Sequence, residues 1–201
     1  MSRAPLLKPA WRYVTSFEMA RLSADDWRTL DAQRAVYRAE LQAEQVLRML
    51  RQQRDDPSFG YPVNNYGHCL QSATLALRDG QDEETVVVAL LHDIGFDACP
   101  HLHGEFAAAL LGAYVEERHY WMLLHHQVFQ DHHVGEHYDP SLDRGARERW
   151  RGHPHFEWTA RFVERYDQAA MDPDFECAPL EAFVPLLERL FARTPRPRPL
   201  S

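Results

Sequence analysis

Positive charge is scarce in this chain of 201 residues. The 22 Lys and Arg are outnumbered by 30 Asp and Glu, for a formal net charge of -8. With no long basic block, the phosphate backbone of a nucleic acid meets no matching charge, so nucleic acid is excluded as an expected partner. Also missing is any run approaching the roughly 18 uncharged apolar residues that a membrane helix needs, so no membrane partner is expected either. Residues 1–20 contain Lys8, Arg12 and Glu18 and no apolar core, unlike a secretory leader. Cysteine is sparse as well. Cys69, Cys99 and Cys177 have no paired spacing, which excludes a disulfide framework and reads as the reduced thiols of a cytoplasmic protein. Cys99, near His101, reads as a packed thiol rather than half of a metal knuckle.

What is present is a 45% hydrophobic composition, enough for the core of one ordinary domain, and 12 histidines, many of them between His92 and His155. Histidine is the commonest metal ligand and the commonest acid–base group near neutral pH. A count alone decides nothing, so the positions have to fit a site.

The pattern predicts helices throughout. Residues 1–22, with Pro5 and Pro9, read as an irregular arm, and Ser23 with Asp26 resembles a capping box. From there to about Arg54, Val36, Leu41, Val46, Leu47 and Leu50 recur at near-helical spacing, giving one long helix or two shorter ones. Its plain role is packing; a lid, or an arm for a homodimer, is the sharper alternative. Asp55–Asn65 is a loop with Pro57, Gly60, Pro62 and paired asparagines. Helices are expected over Tyr66–Arg78, Glu83–Asp93 (capped by Gly95), Gly104–Glu117, Tyr120–His132, His155–Met171 and Leu180–Arg193. A polar loop with a short helix falls within Asp139–Arg151, and Pro173–Pro179 is a loop. Without repeats or a clear linker, residues 23–193 form a single all-α domain ahead of a proline-rich tail, 194–201.

His92-Asp93 ends an apolar run, Val-Val-Val-Ala-Leu-Leu. A carboxylate buried there costs several kcal/mol unless it is paired or bound to a cation. A divalent metal resolves that cost, and the two oxygens of Asp93 can bridge two metals. Taken alone, such a pair is more often a capping Asp beside a partly exposed His. But His68 lies on the preceding helix, His103 opens the following one, His125 and His126 lie in the next, and Asp167 lies in the late one. Each helix therefore offers an N or O ligand, as when a bundle builds a dinuclear site in its core. Carboxylates with imidazoles suit iron, manganese or zinc.

This order resembles the HD-domain superfamily of helical metalloproteins, over about Tyr61 to Phe191, with Leu-Leu-His92-Asp93-Ile-Gly as its specific mark. His68-Cys-Leu-Gln71-Ser-Ala73 is similar to the His-x-x-Gln-x-Ala signature of myo-inositol oxygenase and of the phosphonate-cleaving HD-domain oxygenases, and the stretch from Asp167 to Glu176 resembles the late segment of the latter. The resemblance implies an HD-type helical bundle with a mixed-valent Fe(II)/Fe(III) pair. It also implies O2 as co-substrate and oxidative cleavage of a small hydroxylated or amino-substituted organic molecule. It assigns His68, His92, Asp93 and Asp167 to one iron, with Asp93 bridging, and His103 with His125 or His126 to the other; His92 and Asp93 are the catalytic centre. Gln71, Tyr66, Phe129 and Gln130 are the substrate-binding candidates, and Tyr61, Tyr66 and Phe129 could wall an aromatic pocket for a cation. His132, His133 and His137 are loop residues able to approach the site.

The chain departs from its look-alikes at two positions. The phosphonate enzymes carry a Lys four residues after the last helical His; here Gln130 follows His126 at that spacing, and Phe129 follows His125. Myo-inositol oxygenase has Lys after its His-Asp-Leu-Gly, where this chain has Phe96. Two rival functions remain. One is a metal-dependent phosphohydrolase acting on a nucleotide or other phosphate ester, for which Arg78, Arg118, Arg161 and Arg165 are the nearest cations. The other is a non-catalytic protein that keeps metal for folding or sensing.

Overall fold

The computed structural model describes residues 10–134, 141–196 and 198, Glu40 by its backbone alone. Among these the regular elements are all helical and no strand occurs. In chain order they are α1 (Ala24–Gln52), α2 (Asn65–Arg78), α3 (Glu83–Leu91), α4 (His103–Leu111), α5 (Glu117–Gln130), α6 (Phe156–Phe162) and α7 (Val184–Phe191). Short 3-10 turns cover Gln53–Asp55, Asp131–His133, Ala146–Trp150 and Leu180–Ala182, and a π-helical turn covers Val163–Asp167. No described helix is long and apolar enough to cross a membrane.

The chain divides into two compact units, 1–42 and 43–201, with the division inside α1. In the first, Ser23 and Asp26 form the expected reciprocal cap. The Ser23 N–H donates to the Asp26 carboxylate at 2.9 Å, and the Asp26 N–H donates to Ser23 Oγ at 3.2 Å. Gln33 is bonded to the Arg12 backbone, and Trp11 meets Tyr37 edge-on. Val36, expected on the apolar stripe, is exposed.

The second unit is built around α3. Asp82 caps this helix by accepting from the Thr85 N–H at 2.7 Å, and every residue from Glu84 to Leu91 is buried. An apolar run hidden on all sides has no amphipathic face. Its valines therefore do not force a strand, because capping and length choose the helix. Burying each Val or Leu is worth roughly 1.5–3 kcal/mol, so a charge at Val88 would unfold the unit. α2 packs on α3, α4 on α5, and α7 covers α3 from another side. The end of α1 contributes Val46, Leu47 and Leu50 to the same core.

Several boundaries differ from expectation. Gly95 is not a left-handed cap: positive φ occurs at Gly60 and Gly80, and a Cβ on Gly95 would stand 2.9 Å from the Phe106 side chain, so this glycine makes room for α4. Beyond α3 the chain continues in tight turns through His92-Asp93, with Ile94 N–H to Leu91 O and Phe96 N–H to Asp93 O. α4 stops at Leu111, six residues early, and α5 begins at Glu117. The last expected helix is broken by Pro185, which sits in the first turn of α7. His137, Asp139 and part of the polar loop, with Pro197 and the last three residues of the tail, lie outside the described residues.

Candidate metal centre

Four imidazoles converge from four places in the second unit: His68 on α2, His92 just after α3, His103 at the start of α4 and His126 on α5. All four are buried. Each ring uses Nδ1 on a backbone carbonyl: His68 on Ala170 at 3.2 Å, His92 on Ala89 at 2.9 Å, His103 on Pro100 at 2.7 Å and His126 on Leu123 at 3.0 Å. A carbonyl only accepts, so each Nδ1 carries the hydrogen and each Nε2 presents a lone pair.

Those lone pairs face one another. Nε2 of His68 lies 3.1 Å from Nε2 of His92, and Nε2 of His103 lies 3.0 Å from that of His126. Two bare lone pairs at that distance repel, so a proton or a metal cation must lie between them. Asp93 joins the two pairs. Its Oδ1 is 3.1 Å from His126 Nε2 and 3.3 Å from His103 Nε2, while Oδ2 is 3.5 Å from His68 Nε2. Two ligand groups result, His68–His92–Asp93 and Asp93–His103–His126, and the carboxylate is common to both. Asp167 completes the first group. Its Oδ1 is 3.6 Å from His68 Nε2 and 3.7 Å from His92 Nε2, and its buried Oδ2 has no hydrogen-bond partner.

This donor set fits metal ions. Neutral, oriented imidazoles and two buried carboxylates, one with an orphaned oxygen, are what a divalent pair requires. The protein alone compensates imperfectly. Burial disfavours a charged His92, but Asp93 and Asp167 beside it outweigh that and push it up to about 9. Burial likewise opposes charge on Asp93, yet His92, His126 and His68 hold its carboxyl well below the usual range. Burial and the neighbouring His92 lower His68, and burial lowers His103. A cation placed among these groups would take over the balance of charge that the protein alone meets with a proton on His92.

Local structure explains the convergence. The π turn ends on Asp167, with Gln168 N–H bonded to Val163 O at 2.9 Å. Such a bulge re-aims a side chain that a regular α-helix would direct elsewhere. Gly104 is close-packed: a Cβ there would lie 2.5 Å from the Leu123 carbonyl, so only glycine lets α4 approach α5 closely enough for His103 to meet His126. Asn65, read from the sequence as a loop marker, donates to the Asp93 carbonyl at 2.8 Å and to Gln53 Oε1 at 3.0 Å, and Gln53 Nε2 donates to the Ile94 carbonyl at 2.7 Å. These bonds fix the turn that carries the His-Asp pair.

A cavity of about 240 Å³ opens onto the centre. Gln130, Tyr61 and Phe96, each marked in the sequence, line it, and so do Phe59, Asp97 and Asp131, which the sequence does not mark. Asp97 is four residues past Asp93, and that proximity was the available signal.

Four of the residues that the sequence offered as candidates lie elsewhere. His125 is in neither ligand group: its Nδ1 bonds the Trp121 carbonyl at 2.8 Å and its ring stacks on Trp121 with centroids 4.1 Å apart. Adjacent helical residues point about 100° apart, so only one of His125 and His126 can face α4. Phe129 is fully buried and packs on Trp121 and Phe156, away from the cavity. Tyr66 packs against the core and does not line the cavity. Gln71 is buried with both amide atoms bonded to the Asp172 backbone, so it buttresses the site and does not touch a ligand. Of the four arginines, Arg118 pairs with Asp82, Arg165 with Asp79, and Arg78 with the Glu176 carbonyl; none of the four lines the cavity.

No protein-family model matches the chain. A stretch of 52 residues, 26% of this chain, is 48% identical to the glycine-betaine-forming 1-hydroxy-2-(trimethylamino)ethylphosphonate dioxygenase of Leisingera caerulea. The stretch covers 24% of that protein, so the chain matches about a quarter of its relative's length. The sequence resemblance is thus to an oxygenase, and the helical fold encloses a His/Asp cluster able to hold metal.

Proposed function

We propose that this chain is a di-iron oxygenase of the HD-domain type that uses O2 to oxidise and cleave a small hydroxylated or amino-substituted organic substrate. The observation that carries the reading is Asp93, one carboxylate shared between two imidazole pairs. The Nε2 atoms of each pair lie 3.1 and 3.0 Å apart, close enough for one cation to sit on both. A relative that is a dioxygenase supports the same reading.

When bound, a mixed-valent Fe(II)/Fe(III) pair supplies O2 activation and a Lewis-acid hold on a substrate hydroxyl. The chain supplies position and environment. His68, His92, Asp93 and Asp167 would hold one iron, and His103 and His126 the other, with Asp93 between. The four Nδ1–H···O=C bonds fix the rings, and burial keeps bulk water from the ligands. The phosphohydrolase alternative is disfavoured by the cavity wall, which among the described residues has no Lys or Arg to receive a phosphate.

Metal analysis of protein purified without added metal, followed by electron paramagnetic resonance after partial oxidation, tests the reading. Two irons per chain and a coupled Fe(II)/Fe(III) signal are expected, with loss of the signal in Asp93→Ala. Full turnover by the zinc or manganese form without oxygen, or two metal equivalents retained by Asp93→Ala, would overturn it.

A further inference from the structure

The cavity wall has a chemistry that the metal ligands do not account for. Beyond Asp93 and Asp167 it carries two more carboxylates, Asp97 and Asp131, and no Lys or Arg among the described residues. Both carboxylate oxygens of Asp97 are buried and accept no hydrogen bond, and the buried Oε1 of Gln130 also lacks a donor. A rim of aromatic rings, Phe59 and Tyr61 with Phe96 deeper, completes the wall. The polar atoms left without partners are acceptors. A ligand that satisfies them must bring hydrogen-bond donors, positive charge or both, and aromatic faces also attract cations. An anionic head group seated against Asp97 and Asp131 would instead meet carboxylates and, among the described residues, no Lys or Arg.

Resting on the oxygenase reading for the role of the metal centre, we propose that the substrate is a small organic ammonium alcohol without a phosphonate or carboxylate head, its ammonium seated against Asp97 and Gln130 with Asp131 and the aromatic rim around it. The hydroxyl end is then left to face the His/Asp centre. Burial, together with the charges of Asp56 and Asp93, raises the Asp97 carboxyl, and burial raises that of Asp131, as expected of carboxylates that hold no cation. Gln130 adds a neutral acceptor, its buried Oε1, to the same part of the cavity.

Calorimetric titration of the metal-loaded protein with four probes of similar size tests this. Ethanolamine and choline carry the ammonium, 3,3-dimethylbutan-1-ol is the neutral isostere of choline, and 2-hydroxyethylphosphonate carries the anion. Ammonium probes are expected to bind at least about tenfold more tightly than the neutral alcohol, with the phosphonate weakest. Either order of the two ammonium probes supports the proposal: tighter ethanolamine credits N–H donation to the bare acceptors, tighter choline the aromatic rim. Asp97→Asn should cost the ammonium probes about tenfold and leave the neutral alcohol and the metal content unchanged; Asp131→Asn should act in the same direction. Phosphonate binding as tightly as ammonium, equal binding of ammonium and neutral alcohol, or loss of metal from Asp97→Asn would each overturn it. The same titration on zinc-loaded protein separates the two readings. Failure to hold iron sinks the oxygenase, whereas a full metal complement without ammonium preference sinks only this inference.

Discussion

Gln71 and Asp172 exchange two hydrogen bonds across the molecule: the Gln71 amide Nε2 donates to the Asp172 carbonyl at 2.7 Å, and the Asp172 N–H donates back to Gln71 Oε1 at 3.1 Å. Two residues earlier the Ala170 carbonyl accepts from His68 Nδ1, and Ala170 N–H is bonded to Asp167 O. One side chain of α2 therefore holds the segment that fixes the His68 ring and follows the Asp167 ligand. Gln71→Leu should lower stability by about 1–3 kcal/mol, because it strips partners from two backbone groups. It should also weaken metal binding about tenfold, as loss of outer-shell support does. Urea unfolding and a metal-competition titration measure the two effects. Unchanged metal affinity would reduce Gln71 to a packing residue.

Neighbouring histidines on α5 separate the site from the core. His126→Ala removes a ligand facing His103 and Asp93, so it should leave the first metal position filled and the second empty, halving the metal content. His125→Ala removes a ring stacked on Trp121 and should keep the full metal content, at a cost of about 1 kcal/mol in stability. Metal analysis of the two purified variants decides the matter; equal losses would mean that the two rings share the second position.

The contrast shows what the sequence could and could not say. The candidate ligands are legible in two steps: His92-Asp93, ending an apolar run, needs a reason, and His68, His103 and Asp167 supply one N or O donor from each neighbouring helix. His125 and His126 were not separable, because the azimuth of α5 depends on how closely α4 approaches it. Phe129 looked like a pocket residue by its spacing from His125, but it follows that ring's azimuth into the core. The helical character of α3 is legible from Glu83 and Glu84 in its first turn, whereas the early end of α4 has one signal, Gly112 at its C-cap, inside a run that otherwise reads as continuous helix. The acidic cavity wall was illegible for a different reason: Asp97 and Asp131 are distant in sequence and meet only through the tertiary fold.

Gly104 should be intolerant of any side chain. The Cβ of Gly104→Ala would lie 2.5 Å from the Leu123 carbonyl and 3.2 Å from Cε1 of His126. A backbone carbonyl cannot rotate away cheaply, so α4 and α5 must separate, at about 1–3 kcal/mol. The separation pulls His103 from His126, so the second metal position should weaken more than the first. Stepwise metal titration of the folded variant tests that order. Unchanged affinity at both positions would show that the helices absorb the methyl group elsewhere.

Glu84, far from the metal ligands in chemistry though on the same helix run, should set the acid limb of stability. Its buried carboxylate accepts from His119 Nδ1 at 2.5 Å and from the Glu116 N–H at 2.6 Å, and it pairs with the Arg193 guanidinium. Burial alone would raise its pKa, but these bonds win and hold it at about 2, against 4.5 for an unconstrained glutamate. The unfolded chain therefore takes up this proton first as the pH falls. The stabilisation is fully present above about 4.5 and disappears as the pH drops through about 2. Allowing for solvent screening at the edge of the core, it is worth about 2 kcal/mol at neutral pH. Glu84→Gln should therefore be less stable than the native chain at pH 7, and the gap should narrow by roughly two thirds of that amount between pH 5 and pH 2.5. Urea denaturation of both proteins with chelator present, so that metal release cancels, measures the gap. A gap that stays constant over that range would mean that Glu84 is ordinary in the folded state and that its three partners contribute geometry rather than charge.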